Sequence, residues 1–180
     1  VQDVAENPFF YYEDAILEPD HIDAFWIRTD PPFDSAYLTD TWVIDHLPPK
    51  VVVLNSPHGL RTVNEKLWAT QFHSWMPETL VTTRIDEFQE FFAQHENVVV
   101  KPANGFGGAS VFLLRRGDKN ANVAFETLSN KGQEYVIVQR YLTESTVGDK
   151  RILVLDGTPL GAILRVHSEE DHRNNFAAGG

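Results

Sequence analysis

The stretch Val98-Val99-Val100-Lys101-Pro102-Ala103-Asn104-Gly105-Phe106-Gly107-Gly108-Ala109-Ser110-Val111 runs from a β-branched segment into a lysine and then into a glycine-dense turn. Glycines let backbone N–H groups approach an oxyanion with no Cβ in the way, and a lysine adds a mobile point charge that neutralises it, so this order of residues suits a phosphate. It is not the P-loop pattern, in which the lysine follows the glycines, and no G-x-G-x-x-G opens a helix. Strands expected over residues 97–101 and 111–114 bracket the turn, which therefore reads as a hairpin-like flap.

On either side of this flap, strand-like and helix-like patterns alternate, which predicts a mixed α/β (α+β) protein. Ala24-Phe25-Trp26-Ile27-Arg28 reads as a strand ending at a charge, before the breaker Asp30-Pro31-Pro32. Residues 35–46 carry Leu38, Thr41, Trp42 and Asp45 at helical spacing, with Ser35 as N-cap, and Val51-Val52-Val53-Leu54 is the next strand. A turn at Asn55-Ser56-Pro57 leads to a helix expected over residues 64–72, with a strand at Leu80-Val81-Thr82. Thr83-Arg84-Ile85-Asp86 resembles a capping box, and Ile85, Phe88, Phe91 and Phe92 then form an apolar helical stripe that belongs to a core. A short helix over 123–129, strands over 135–139 and 151–155, a turn at Asp156-Gly157 and a strand over 160–166 complete the pattern.

Composition sets the bounds. The chain has 180 residues, 42% of them hydrophobic, enough for a sizeable core in one domain or two small ones. Fifteen Lys+Arg against 26 Asp+Glu give a net charge of −11, which argues against a nucleic-acid or anionic-membrane surface. With no cysteine, disulfides and thiolate chemistry are excluded; with no membrane-length apolar run or leader pattern, a cytoplasmic protein is expected. The seven histidines form no triad or metal spacing and receive no chemical role.

Several spaced motifs together resemble the ATP-grasp ligases, and among them the bacterial glutathione synthetases: Asn64-Glu65-Lys66, the Lys101 strand with its flap, Gln139-Arg140-Tyr141-Leu142, Gly148-Asp149-Lys150-Arg151, and Arg173-Asn174-Asn175 running to Gly180. Arg28-Thr29-Asp30-Pro31-Pro32-Phe33-Asp34 resembles a substrate-side motif of the same family. The resemblance implies an ATP-grasp fold, with residues 1–55 the remainder of a preceding substrate domain and 56–180 an ATP-grasp domain incomplete at its C-terminus, its lid at about 78–140. It implies that Lys66 and Lys101 reach the ATP phosphates and that Gly105, Phe106, Gly107 and Gly108, with Ser110 just beyond, fold over them and exclude water. Backbone groups of Gln139, Arg140, Tyr141 and Leu142 would meet the adenine edge, with side-chain identity secondary, and Asp149 would meet the ribose. Arg151 and Arg165 would face the acyl-phosphate and substrate carboxylates, Arg28 the dipeptide, and Arg173 with Asn174 the second substrate; a guanidinium fork suits each of these anions.

The implied reaction joins γ-glutamylcysteine and glycine at the expense of ATP, with Mg2+ or Mn2+ held by residues that would follow Gly180, in a homo-oligomer that by resemblance is a tetramer. Asn104 stands where such proteins often carry an acidic residue, Phe106 where the side chain is smaller, and residues 167–172 are more acidic than the glycine-rich loop expected there. Because the chain opens on Val1 and closes on a loop-like run, a fragment lacking the metal ligands is expected, inactive or nearly so by itself. Two alternatives stay open: an ATP-grasp ligase for another amino acid, of the glutamate or D-alanine type, and a non-catalytic ATP-binding module.

Overall fold

A computed structural model describes residues 16–166. The expected alternation is present: β1 (Ala24–Trp26), α1 (Ser35–Ile44), β2 (Val52–Leu54), α2 (Pro57–Thr62), β3 (Thr79–Thr82), α3 (Ile85–Gln94), β4 (Asn97–Pro102), β5 (Phe112–Arg115), α4 (Ala121–Leu128), β6 (Val136–Arg140), β7 (Asp149–Leu155) and β8 (Thr158–Arg165). The described residues divide into two compact units, one formed by the segment up to Asp30 with Ser35–Arg61, the other by Pro31–Asp34 with the chain from Thr62 onward.

In the first unit, β1 and β2 pair in parallel with Phe25 opposite Val53, and α1 supplies the crossover that parallel strands require. The strand ends sooner than its apolar pattern predicts, at Trp26, but Ile27 stays tied: its N–H donates to the Leu54 carbonyl at 3.0 Å. Its own carbonyl accepts from the Asn55 amide at 2.8 Å. Asn55 sits at φ 60°, a left-handed conformation that asparagine tolerates better than most residues. The turn expected at Asn55-Ser56-Pro57 gives way directly to α2, because Pro57 at the first helical position has its φ preset and no N–H to lose.

In the second unit the helix expected over 64–72 does not form as an α-helix. The Asn64 side-chain oxygen accepts from the N–H groups of Lys66 and Leu67 at 2.9 and 2.8 Å, which holds a turn there. Beyond it the chain forms 3-10 turns over Trp68–Trp75, broken at Phe72.

The main sheet is antiparallel, in the order β3-β6-β4-β5. Alternation along its strands separates two faces. Val98, Val100, Val136 and Val138 point to one face and are fully buried against Phe88 of α3 and Phe125 of α4, whose rings stack with centroids 4.6 Å apart. The aromatic stripe read from the sequence is therefore core. The expected capping box does not form: α3 begins at Ile85 with Arg84 as N-cap, and Thr82, not Thr83, accepts from the Arg84 N–H at 2.9 Å and donates to the Glu87 carboxylate, while Asp86 pairs with Arg84. Strands β7 and β8 form a separate antiparallel hairpin with a register shift between Leu153 and Val154.

Candidate functional site

Lys101 lies on the sheet face opposite the helices, because it is out of phase with the buried Val98 and Val100 of its own strand. Across β6 the register sets it opposite Ile137, with Gln139 its diagonal neighbour on the same face. Its ammonium donates to the Gln139 side-chain oxygen at 3.1 Å. The turn fixed by Asn64 brings Lys66 to the glycine flap, where its ammonium donates to the Gly105 carbonyl, and the Asn64 amide donates to the Asn104 side-chain oxygen at 3.4 Å.

The two lysines interact electrostatically. Burial holds the Lys101 ammonium below the ordinary lysine range, and the charge of Lys66 pushes it further in the same direction. Burial also lowers Lys66, against the opposing pull of Glu65 3.7 Å away. Two partly desolvated cations side by side repel each other, and an arriving polyanion would relieve both costs.

The flap is shaped for backbone exposure. Gly107 and Gly108 sit at φ 62° and 78°, where a glycine carries no Cβ penalty, and Ser110 shares the left-handed region at 57°. A Cβ on Gly105 would lie 2.6 Å from the Pro102 ring, so glycine is also required where the Lys66 contact is made. Phe106 is 44% exposed at the tip.

The end of β6 carries the residues expected at the adenine edge. The Gln139 side chain is engaged on both sides, with Lys101 and with the Thr79 hydroxyl at 2.8 Å. The Arg140 N–H donates to the Glu78 carbonyl at 2.9 Å and the Tyr141 N–H to the Asn97 carbonyl at 3.0 Å. The Leu142 carbonyl accepts from Ser145.

Asp149, Arg151 and Arg165 share one face of the β7–β8 hairpin, since Asp149 opposes Arg165 and Arg151 opposes Ile163 two residues along. Asp149 and Arg165 are joined to each other by a fork of two hydrogen bonds. In the first unit, Arg28 lies over the Trp26 ring with its guanidinium carbon 5.5 Å from the centroid. A cleft of about 280 Å³ opens beside that strand end, lined by Trp26, Thr29, Tyr37, Asp40 and Thr41 among others. Arg173 and Asn174 lie outside the described residues.

Sequence reading gave Asn64 a place in a motif but not its turn-holding role, and it passed over two residues: Thr79 carries no local signature, and His95, given no role, sits nine-tenths buried with Nε2 2.6 Å from the Glu78 carboxylate and Nδ1 2.8 Å from the Phe91 carbonyl. Among the described residues no group of three or more His, Asp or Glu could hold a metal ion, so the charge-neutralising groups they supply are the lysines and arginines.

Residues 65–180 match the family model described as prokaryotic glutathione synthetase, ATP-grasp domain, and residues 1–61 match the N-terminal domain model of the same family. The chain is 45% identical to the glutathione synthetase of Gloeobacter violaceus over 181 residues, covering 97% of this chain and 56% of the relative. It is 38% identical to that of Vibrio cholerae over 185 residues, covering 100% of this chain and 58% of the relative. The chain thus spans little more than half the length of the curated relatives it matches. Among solved structures, D-cycloserine synthetase DcsG superposes with a TM-score of 0.64 at 18% identity, over 86% of this chain and 56% of that one. The ATP-grasp ligase PsnB with a minimal precursor gives 0.55 at 22% identity, over 83% of this chain and 53% of that one. At such identities the likeness is one of fold.

Proposed function

The chain belongs to the prokaryotic glutathione synthetase family and has the ATP-grasp fold, and on that premise we propose that it serves an ATP-dependent ligase joining γ-glutamylcysteine to glycine. The observation that carries this reading is the Lys66 ammonium on the Gly105 carbonyl, in the glycine flap that directly follows Lys101, 35 residues along the chain from Lys66. In the proposed reaction a carboxylate oxygen of the dipeptide attacks the γ-phosphorus of ATP and the bond to ADP breaks. The glycine amine then attacks the acyl carbon, phosphate leaves with the C–O bonding pair, and the amine gives up its proton.

The residues present suit parts of this chemistry. Lys66 and Lys101 offset the negative charge of the phosphates, and the flap between β4 and β5, within a lid of about 78–140, keeps water from an acyl-phosphate that it would hydrolyse. On the hairpin, Asp149 already neutralises Arg165, which leaves Arg151 as the group to meet a carboxylate or transferring phosphoryl oxygen, with Arg165 orienting Asp149 toward the ribose. No acidic cluster among the described residues would hold a divalent cation; when bound, such an ion would supply further positive charge against the phosphates.

The test has two stages. ATP added to the chain should raise its thermal midpoint saturably, since a ligand bound only by the native state must do so, and Lys66→Met should abolish the rise. In the whole protein, ADP release should require both γ-glutamylcysteine and glycine; equal release with glutamate or D-alanine as acceptor would replace the substrate assignment, and no ATP effect in either stage would remove the nucleotide.

A further inference from the structure

An asparagine precedes a glycine at one place in the sequence, Asn104-Gly105, and that place opens the flap. An asparagine side chain followed by glycine is open to attack by the next backbone nitrogen, because no Cβ hinders closure of a succinimide ring. Asn104 is exposed and lies in a turn. Its surroundings favour that closure from two sides. The Asn64 oxygen is committed to the N–H groups of Lys66 and Leu67 at 2.9 and 2.8 Å, so its NH2 is the group that meets Asn104, on the side-chain oxygen at 3.4 Å. A donor there polarises the carbon to be attacked and stabilises charge developing on its oxygen. The Lys66 ammonium donates to the carbonyl of Gly105, the residue that supplies the attacking nitrogen, so positive charge lies close to the atom that must lose its proton. That N–H has no acceptor among the described residues. Elsewhere the same chemistry is held back. Asn55 gives its NH2 to the Ile27 carbonyl and is followed by Ser56, and Asn120 is followed by Ala121, whose N–H donates to the Asp118 carbonyl at 3.2 Å.

We propose that Asn104-Gly105 is a self-modification site, at which Lys66 and Asn64 promote loss of ammonia and conversion of the flap to aspartate and isoaspartate. The Gly105 nitrogen gives its proton to solvent and bonds to the side-chain carbonyl carbon of Asn104. The bond from that carbon to the amide nitrogen breaks, and ammonia leaves, its added proton drawn from water. Water then opens the succinimide. Cleavage between the Gly105 nitrogen and the side-chain carbon gives aspartate on an unaltered backbone; cleavage at the main-chain carbonyl carbon gives isoaspartate, with the main chain longer by a methylene. The flap has no slack for that methylene: Ala103 is buried with its N–H on the Tyr135 carbonyl at 3.3 Å, and at Gly105 even a Cβ would lie 2.6 Å from the Pro102 ring. Isoaspartate therefore lifts the Gly105 carbonyl off Lys66. Its effect on nucleotide rests on the reading of this flap as a phosphate lid; the modification itself does not.

The full chain is incubated at mildly alkaline pH, digested, and mapped by mass spectrometry with electron-based fragmentation, which separates aspartate from isoaspartate. Conversion should appear at Asn104 and outpace that at Asn55 and Asn120. Lys66→Met should slow it about fivefold, the scale of one neighbouring charge in well-hydrated surroundings, and Lys66→Arg should restore it. If Lys66→Met does not fold, Lys66→Gln carries the comparison. Conversion at Asn104 no faster than at Asn55 or Asn120, or unchanged when the Lys66 charge is removed, overturns the proposal. The rise in thermal midpoint given by ATP should shrink in proportion to isoaspartate content, whereas Asn104→Asp, which carries the charge without the extra methylene, keeps it. Equal loss in both would overturn the role given to backbone length. If the fresh chain shows no ATP effect, the phosphate reading fails by itself, and the peptide map still decides the modification.

Discussion

Asp149, the first residue of β7, and Arg165, the last of β8, face each other in register and are joined by a bidentate fork, Nε to Oδ1 at 2.7 Å and Nη2 to Oδ2 at 2.9 Å. The arginine is largely covered, its side chain 13% exposed, whereas the carboxylate is 38% exposed. Fork geometry favours the pair, but solvent around the carboxylate screens it. A double-mutant cycle of Asp149→Ala and Arg165→Ala in urea unfolding is expected to give a coupling of about 0.5–1 kcal/mol. Arg165→Lys should lose most of it, because an ammonium cannot make the planar two-point contact. A coupling indistinguishable from zero would show that the fork contributes nothing to stability.

Gly148 precedes this pair at φ 114°, and a Cβ there would run into the Arg165 carbonyl oxygen. Gly148→Ala therefore combines a disfavoured backbone with a clash that only movement of β8 can relieve. The expected cost is about 1–3 kcal/mol from the backbone conformation alone, concentrated in the hairpin. Hydrogen exchange should show amides of β7 and β8 losing protection while those of β4 and β6 keep theirs. Unchanged exchange across the hairpin would contradict the clash.

Lys101 makes folding pH-dependent in a direction that can be stated. Its ammonium titrates below the ordinary 10.5 in the folded chain, chiefly through burial. Between the folded value and 10.5 the unfolded chain binds more protons, so stability rises with pH across that window and is flat on this account on either side of it. Lys101→Met, which replaces the buried charge with apolar atoms of similar length, should be more stable than wild type at neutral pH and lack this component of the alkaline rise. Parallel stability curves for the two proteins across that window would show that the charge is not desolvated as described.

Glu78 behaves oppositely in acid. Its carboxylate is held below the ordinary 4.5, first by the hydrogen bond and charge of His95 and to a lesser degree by Arg140. Because the folded value is depressed, the stabilisation is fully present above the unfolded value and disappears as pH falls through the folded one. Glu78→Gln should remove that acid-side loss, and urea midpoints followed from neutral pH into the acid range would show it. An identical acid profile for variant and wild type would separate Glu78 from the transition.

What the sequence determined by itself is what depends on neighbours along the chain. The β-branched run before Lys101 makes a strand whose alternation puts Val98 and Val100 on one face and the lysine on the other. Left-handed turns fall at Gly107 and Gly108, and helical spacing on α3 turns Phe88 into the core. The expected helix over 64–72 failed because a single side chain, Asn64, claimed the N–H groups of Lys66 and Leu67, a competition that periodicity does not register.

Only the tertiary structure decided which polar groups meet. Thr79 reaches Gln139 across 60 residues, Lys66 reaches Gly105 across 39, and Asp149 turns to Arg165 and not to the adjacent Lys150 or Arg151. Each of these contacts follows from strand register or loop placement. In the main sheet, register is fixed by how the apolar face packs, and a shift of one residue would turn Thr79 or Gln139 to the other face.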